Sequence, residues 1–132
     1  FNESQITEIF QQLKSPIKNA LMKQKLVVGI GNIYASEILF RSKISPLRKC
    51  LKINQNEYLQ IWKWTREILH NAIESGGSTI ENYKNSFGQK GEFQNQFQVY
   101  GRENEMCYVC QGKIQAKILA GRNTFWCRTC QK

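Results

Sequence analysis

Aspartate is missing from this chain altogether, and histidine occurs once, at His70. Ten glutamates face 19 lysines and arginines, so the formal charge is +9. A lone histidine inside a helical pattern, with no partner spacing around it, reads as structural or solvated and not as a catalytic base. No apolar run approaches the ~18 residues that would cross a bilayer, so no membrane segment is expected. The first residues, Phe1-Asn2-Glu3-Ser4, lack a basic region followed by an apolar block, so no secretory leader is read there. The expected compartment is the cytosol. There is no initiator methionine, which raises the expectation of a piece cut from a longer chain. Internal repeats and low-complexity tracts are missing too.

What is present is a 132-residue chain with a hydrophobic fraction of 41%, enough for one or two small globular domains. Its positive charge is uneven. Lys14 to Lys52 holds nine basic residues and one acid, Glu37, while Met106 to Lys132 holds five basic residues and no acid. The intervening stretch, Ile53 to Glu105, has five basic residues and seven acids. Two basic zones with an acidic spacer suggest two surfaces that meet one polyanion. Ordinary solubilising charge is the plainer reading.

Within the first basic zone lies Leu26-Val-Val-Gly-Ile-Gly-Asn-Ile-Tyr-Ala-Ser-Glu-Ile-Leu-Phe40. Gly29 and Gly31 permit a tight turn and a close backbone approach. A helix starting at Asn32 would point free N–H groups at an anion. On the glycines alone, a phosphate site and a plain corner between helices stand equal. Around this stretch the pattern predicts a helix from a Ser4 cap to Leu13, burying Ile6, Ile9, Phe10 and Leu13. A second runs from Ser15-Pro16 to about Lys25, and a third from Asn32 to Ser42. The clearest helix runs from Asn54 to about Ser75, with Glu57 completing a capping box and Gly76-Gly77 ending it. Its core stripe is Tyr58, Ile61, Trp62, Thr65, Ile68, Leu69, Ala72 and Ile73. The polar stretch from Ser78 to Phe97 is too long for a plain connector, and loops of this length are usually functional or mobile.

Cys107-x-x-Cys110 and Cys127-x-x-Cys130 are sixteen residues apart. Two such knuckles suit one tetrahedral four-thiolate zinc site with a hairpin between them. Ile114, Ile118, Leu119, Phe125 and Trp126 alternate enough for its strands. So short a segment would fold with its metal as one event. Paired disulfides or a redox site are the alternatives, the first disfavoured by a cytosolic setting. A closed thiolate shell makes the zinc structural. Cys50 is left over and reads as a small core residue. At the hairpin tip, Gly121 allows the turn and Arg122 offers a rigid fork suited to phosphate.

Taken together, Lys25-Leu-Val-Val-Gly-Ile-Gly-Asn-Ile-Tyr-Ala-Ser-Glu37, Gly76-Gly-Ser-Thr79, Gln98-Val-Tyr-Gly-Arg102 and the knuckles with Gly121-Arg-Asn-Thr-Phe-Trp-Cys127 closely resemble the C-terminal half of bacterial formamidopyrimidine-DNA glycosylase. The resemblance implies a mainly α fold with a small β module. A helix–two-turn–helix DNA-binding domain at 1–92, with a lesion-capping loop at about 78–92, would precede a zinc hairpin at 93–132. It implies that Asn32, Gly31, Tyr100 and Arg122 hold DNA phosphates and that Lys18 lies near the lesion. Ser78, Ile80, Glu81, Asn82 and Tyr83 would belong to the loop that closes over the extruded base. The implied activity is that of a base-excision-repair glycosylase and AP lyase acting on 8-oxoguanine and formamidopyrimidines.

The chain departs from the family by lacking its N-terminal prolyl nucleophile and the catalytic glutamate after it; its only prolines, Pro16 and Pro46, are internal. The expectation is a monomer that binds damaged double-stranded DNA, carries one structural Zn2+, lacks its N-terminal catalytic domain and does not cleave alone. A stand-alone nucleic-acid binding module, or an RNA-binding structural protein, is the competing reading.

Overall fold

A computed structural model describes residues 2–23, 31–74 and 97–132. Helix α1 (Glu3–Phe10) begins where the Asn2 side chain accepts the Gln5 N–H at 3.1 Å. Asn2, not Ser4, is thus the cap, and the helix ends at Phe10, short of Leu13. Ile6 and Phe10 are buried as the spacing predicts, but Ile9 is 44% exposed, because an eight-residue helix presents a narrower face. Helix α2 (Ile17–Lys23) starts one residue after the predicted proline position. Pro16 instead pairs with Lys49 in an isolated antiparallel bridge, and its carbonyl accepts the Ala20 N–H.

Helix α3 (Asn32–Ser42) has the predicted bounds. It closes on Lys43 in the left-handed conformation, with Ile44 N–H returning to the Leu39 carbonyl, a Schellman ending. Helix α4 (Gln55–Glu74) carries the predicted capping box. Glu57 N–H donates to Asn54 Oδ1 at 2.8 Å, and Asn54 N–H donates to Glu57 Oε1 at 2.9 Å. Arg48 then grips the same carboxylate with both terminal nitrogens at 2.7 Å. Burial pushes the Glu57 carboxyl up, but Arg48 and the Asn54 N–H outweigh it and hold the group below its usual range. Tyr58, Ile61, Trp62, Thr65 and Ile68 are buried along α4. The side chains of Leu69, Ala72 and Ile73, and Gly76-Gly77, lie outside the described residues.

Strands β1 (Ile114–Leu119) and β2 (Arg122–Cys127) form an antiparallel hairpin pairing Ile114 with Cys127 and Leu119 with Arg122. Its two-residue turn, Ala120-Gly121, has φ of 53° and 78°, the sign pattern of a type I′ turn. The predicted role of Gly121 is met. Ile118 is 69% exposed although it shares the face of Ile114, which is 1% exposed. Burial along β1 falls off from the knuckle end toward the turn.

Two apolar clusters result. In the helical one, Phe10 stands edge-on to Trp62 (5.3 Å between centroids) and Tyr58 (6.1 Å). In the hairpin one, Phe40, Val99, Ile114 and Phe125 surround Cys107 and Cys127. Helix α3 feeds both, Ile38 and Leu39 to the first and Phe40 to the second. The last two residues seal the join. Gln131 accepts the Cys127 N–H and donates to the Ile44 carbonyl, and Lys132 exchanges backbone bonds with Lys43 and Ser45. Phe10→Ala should cost about 3–5 kcal/mol, as for other large buried aromatics; urea unfolding monitored through Trp62 checks this.

Candidate nucleic-acid interface and metal centre

The four knuckle cysteines converge. All their sulfurs lie within 4.8 Å of one another, with Cys110 to Cys127 at 3.3 Å and Cys107 to Cys130 at 3.8 Å. A disulfide requires about 2.05 Å, whereas four thiolates about 2.3 Å from one tetrahedral ion stand roughly 3.8 Å apart. The donor set therefore fits a metal ion. Val109 N–H points at Cys107 Sγ and Gly112 N–H at Cys110 Sγ, each at 3.4 Å, so the knuckle backbone supports sulfur charge. The Gly112 N–H and the adjacent thiols pull Cys110 down to about 7, while burial pushes Cys127 and Cys130 up. One thiolate forms easily; four together call for a cation.

The hairpin is joined to the helices through Glu37, a residue the sequence marked only as a solitary acid. It is fully buried on α3. Its carboxylate accepts the backbone N–H groups of Gln98, Val99 and Tyr100 at 2.8, 2.9 and 3.0 Å. Burial pushes its carboxyl above the ordinary range, opposed by those three N–H groups and by Arg41. Arg102 secures the far side of the same turn. It donates to the Gln98 carbonyl at 2.6 Å and to Glu105 at 3.0 Å, and lies 3.7 Å over the Tyr108 ring.

This join sets β2 against α2 and α3, and three consecutive β2 residues organise the predicted phosphate site. Arg122 is exposed at the turn. The Asn123 carbonyl accepts Asn32 Nδ2 at 2.9 Å. The Thr124 hydroxyl accepts Lys18 Nζ at 2.8 Å. Lys18, only 1% exposed, is pulled down to about 8 by burial and by the Arg122 charge. Between α2 and the hairpin tip lies a cleft of about 510 Å3 lined by Ser15, Lys18, Asn19, Lys23, Leu119 and Arg122 among others, with no acid among the described residues of its wall. Asn32 Oδ1 is buried without a hydrogen-bond partner among the described residues. A second hydrogen on Nδ2 is still available to an anion.

Gly31 caps α3 with φ −110° and open space where a Cβ would lie. Nothing among the described residues requires glycine there. Tyr100 is half-buried, its ring edge-on to Phe97 and Phe125 at 5.5 and 5.2 Å. It joins the hairpin cluster and not the Lys18–Asn32 group. Gly29, Ser78, Ile80, Glu81, Asn82 and Tyr83 lie outside the described residues. Thr124 and the Asn123 carbonyl went unnoticed in the sequence, since backbone carbonyls carry no sequence signal and one threonine in a strand is commonplace. No helix among the described residues is long and apolar enough to cross a membrane.

A helix–two-turn–helix core bearing a four-thiolate hairpin is the class of module these features define. The family model for the formamidopyrimidine-DNA glycosylase H2TH domain matches residues 1–84, and the chain belongs to that family. It is 42% identical over 134 residues to the formamidopyrimidine-DNA glycosylase of Roseobacter denitrificans, covering 100% of this chain and 47% of that protein. To the Bdellovibrio bacteriovorus protein of the same name it is 42% identical, covering 100% and 49%. Among solved structures it superposes on Lactococcus lactis Fpg bound to abasic-site DNA with a TM-score of 0.83 at 36% identity, covering 100% of this chain and 48% of that one. It superposes on MutM (Fpg) from Thermus thermophilus with a TM-score of 0.81 at 36% identity, covering 98% and 50%. The chain thus spans about half the length of the relatives it matches.

Two outcomes are expected. Glu37→Gln puts an amide NH2 against backbone N–H groups and should destabilise the chain by about 2–3 kcal/mol in urea unfolding. Lys18 has a folded value, about 8, below the 10.5 of an exposed lysine, so the unfolded chain binds the extra proton between these pH values. Stability contributed at this site therefore rises from pH 8 to 10.5. Lys18→Met should remove that slope, measured as the difference between wild-type and variant unfolding curves.

Proposed function

We propose that this chain is the phosphate-gripping part of a base-excision-repair DNA glycosylase with AP lyase activity, which removes oxidised purines such as 8-oxoguanine and formamidopyrimidines. One observation carries the reading: Lys18, Asn32 and Arg122, from three separate elements, meet along residues 122–124 beside a cleft with no acid among its described lining residues. Solved relatives hold DNA containing an abasic site, FAPY-dG or carbocyclic 8-oxo-G, which agrees with that cleft as a DNA surface.

Turning a nucleotide out of the stack costs a few kcal/mol. The Arg122 fork, the free Asn32 amide hydrogen and the Lys18 ammonium would hold the flanking phosphates and offset that cost. Tyr100 and Gly31 would complete the phosphate contacts, and residues 78–83 would close over the extruded base. Zn2+ on Cys107, Cys110, Cys127 and Cys130 is structural in this reading, since four thiolates leave no open position for water. It would keep β2, and hence Arg122 and Thr124, in place. The two prolines are internal, so neither offers a prolyl amine; glycosylase and lyase chemistry would come from an N-terminal domain of the parent protein.

Fluorescence anisotropy with an abasic-analogue duplex, an undamaged duplex and an RNA hairpin tests the reading. The damaged duplex should bind at least as tightly as the undamaged one, without strand nicking, and preference for the RNA would sink the proposal. Arg122→Ala should reduce the slope of log K against log salt by about 0.9. An unaltered slope would remove Arg122 from the phosphate contacts. Metal analysis should return one zinc per chain. Chelation should unfold residues beyond Met106 while α4 keeps its circular dichroism.

A further inference from the structure

Lys18 is the least exposed charged side chain at the cleft, and the group that receives its amine is on neither α2 nor α3. That group is the hydroxyl of Thr124, itself fully buried. The same hydroxyl donates to the Arg122 carbonyl at 3.3 Å. An ammonium can only donate, so the hydroxyl presents a lone pair to Nζ and its own hydrogen is left to turn toward that carbonyl. A long flexible amine with no carboxylate in the cleft wall has nothing else among the described residues to fix it. Among the described residues, the charged groups sharing its cleft are Arg122 from β2 and Lys23 from its own helix, both cations.

We propose that Thr124 is a positioning residue: its hydroxyl holds the Lys18 amine in the wall of the cleft beside Arg122, so that the metal-bearing hairpin decides where this charge meets a bound phosphate. The inference rests on the phosphate-grip reading above and adds the device that makes two cations, on separate elements, act as one anion seat. Without the hydroxyl, the burial that disfavours the ammonium would act unopposed, and the amine would be free to leave the wall.

Competitive trace labelling of Lys18 across pH, read by mass spectrometry, tests this on the full chain without DNA. Thr124→Val, equal in shape, should shift the Lys18 titration midpoint down by about one unit or more, because it removes an acceptor from the charged form. Thr124→Ser should restore it. DNA affinity should fall about three- to tenfold in Thr124→Val. The same substitution should have no further effect on a Lys18→Met background. Metal content and circular dichroism verify the fold; if the valine variant loses its metal, Thr124→Ala carries the same test. An unchanged Lys18 profile in the hydroxyl-free variant overturns the inference whatever the DNA result. A shifted profile with Lys18→Met still binding DNA like the wild type overturns instead the phosphate role of Lys18 on which it rests.

Discussion

Three backbone N–H groups converging on one buried carboxylate hold this molecule together. Glu37 takes the amides of Gln98, Val99 and Tyr100 from the segment that leads into the hairpin. A buried carboxylate is costly unless its lone pairs are occupied, and here the backbone itself occupies them. Because Glu37 lies on α3, one turn beyond Asn32, the helix that starts at the candidate phosphate site is also the one that docks the metal module. Phe40 and the Gln131 amide extend the same join on either side.

From that join follows the arrangement of the cleft. Once β2 is laid against α3, the Asn123 carbonyl meets Asn32 and the Thr124 hydroxyl meets Lys18, while Arg122 emerges at the turn. The charges in the cluster, Lys18 and Arg122, are both positive, so they oppose each other until an anion arrives. Burial first, and the Arg122 charge second, disfavour the Lys18 ammonium. A site that strains against its own charge has most to gain from a polyanion.

The thiolate cluster and the carboxylate latch stabilise different levels. Four sulfurs within 4.8 Å of one another bring the two knuckles together beside the small core of the hairpin. The latch and the C-terminal Gln131-Lys132 contacts hold the closed hairpin against the helices. Loss of either would leave Arg122 and Thr124 without a fixed relation to α2.

Local rules decided much of the chain. The Asn54–Glu57 capping box, the α4 stripe, the bounds of α3, the I′ turn at Gly121 and the four-cysteine spacing each depend on residues close in sequence, so each was legible there. Asn32 and Arg122 were identifiable as candidates because their motifs are local, and Lys18 only through the family resemblance. Tertiary packing decided what Glu37 is for, which strand residues receive Lys18 and Asn32, that Tyr100 packs into the hairpin cluster, and that Ile118 is exposed. The Glu37, Asn32 and Lys18 contacts join residues 61 to 106 positions apart in the chain, several of them through backbone groups that every residue type possesses. Side-chain identity encodes the local rules; only the folded chain brings a particular carbonyl or amide to a particular side chain.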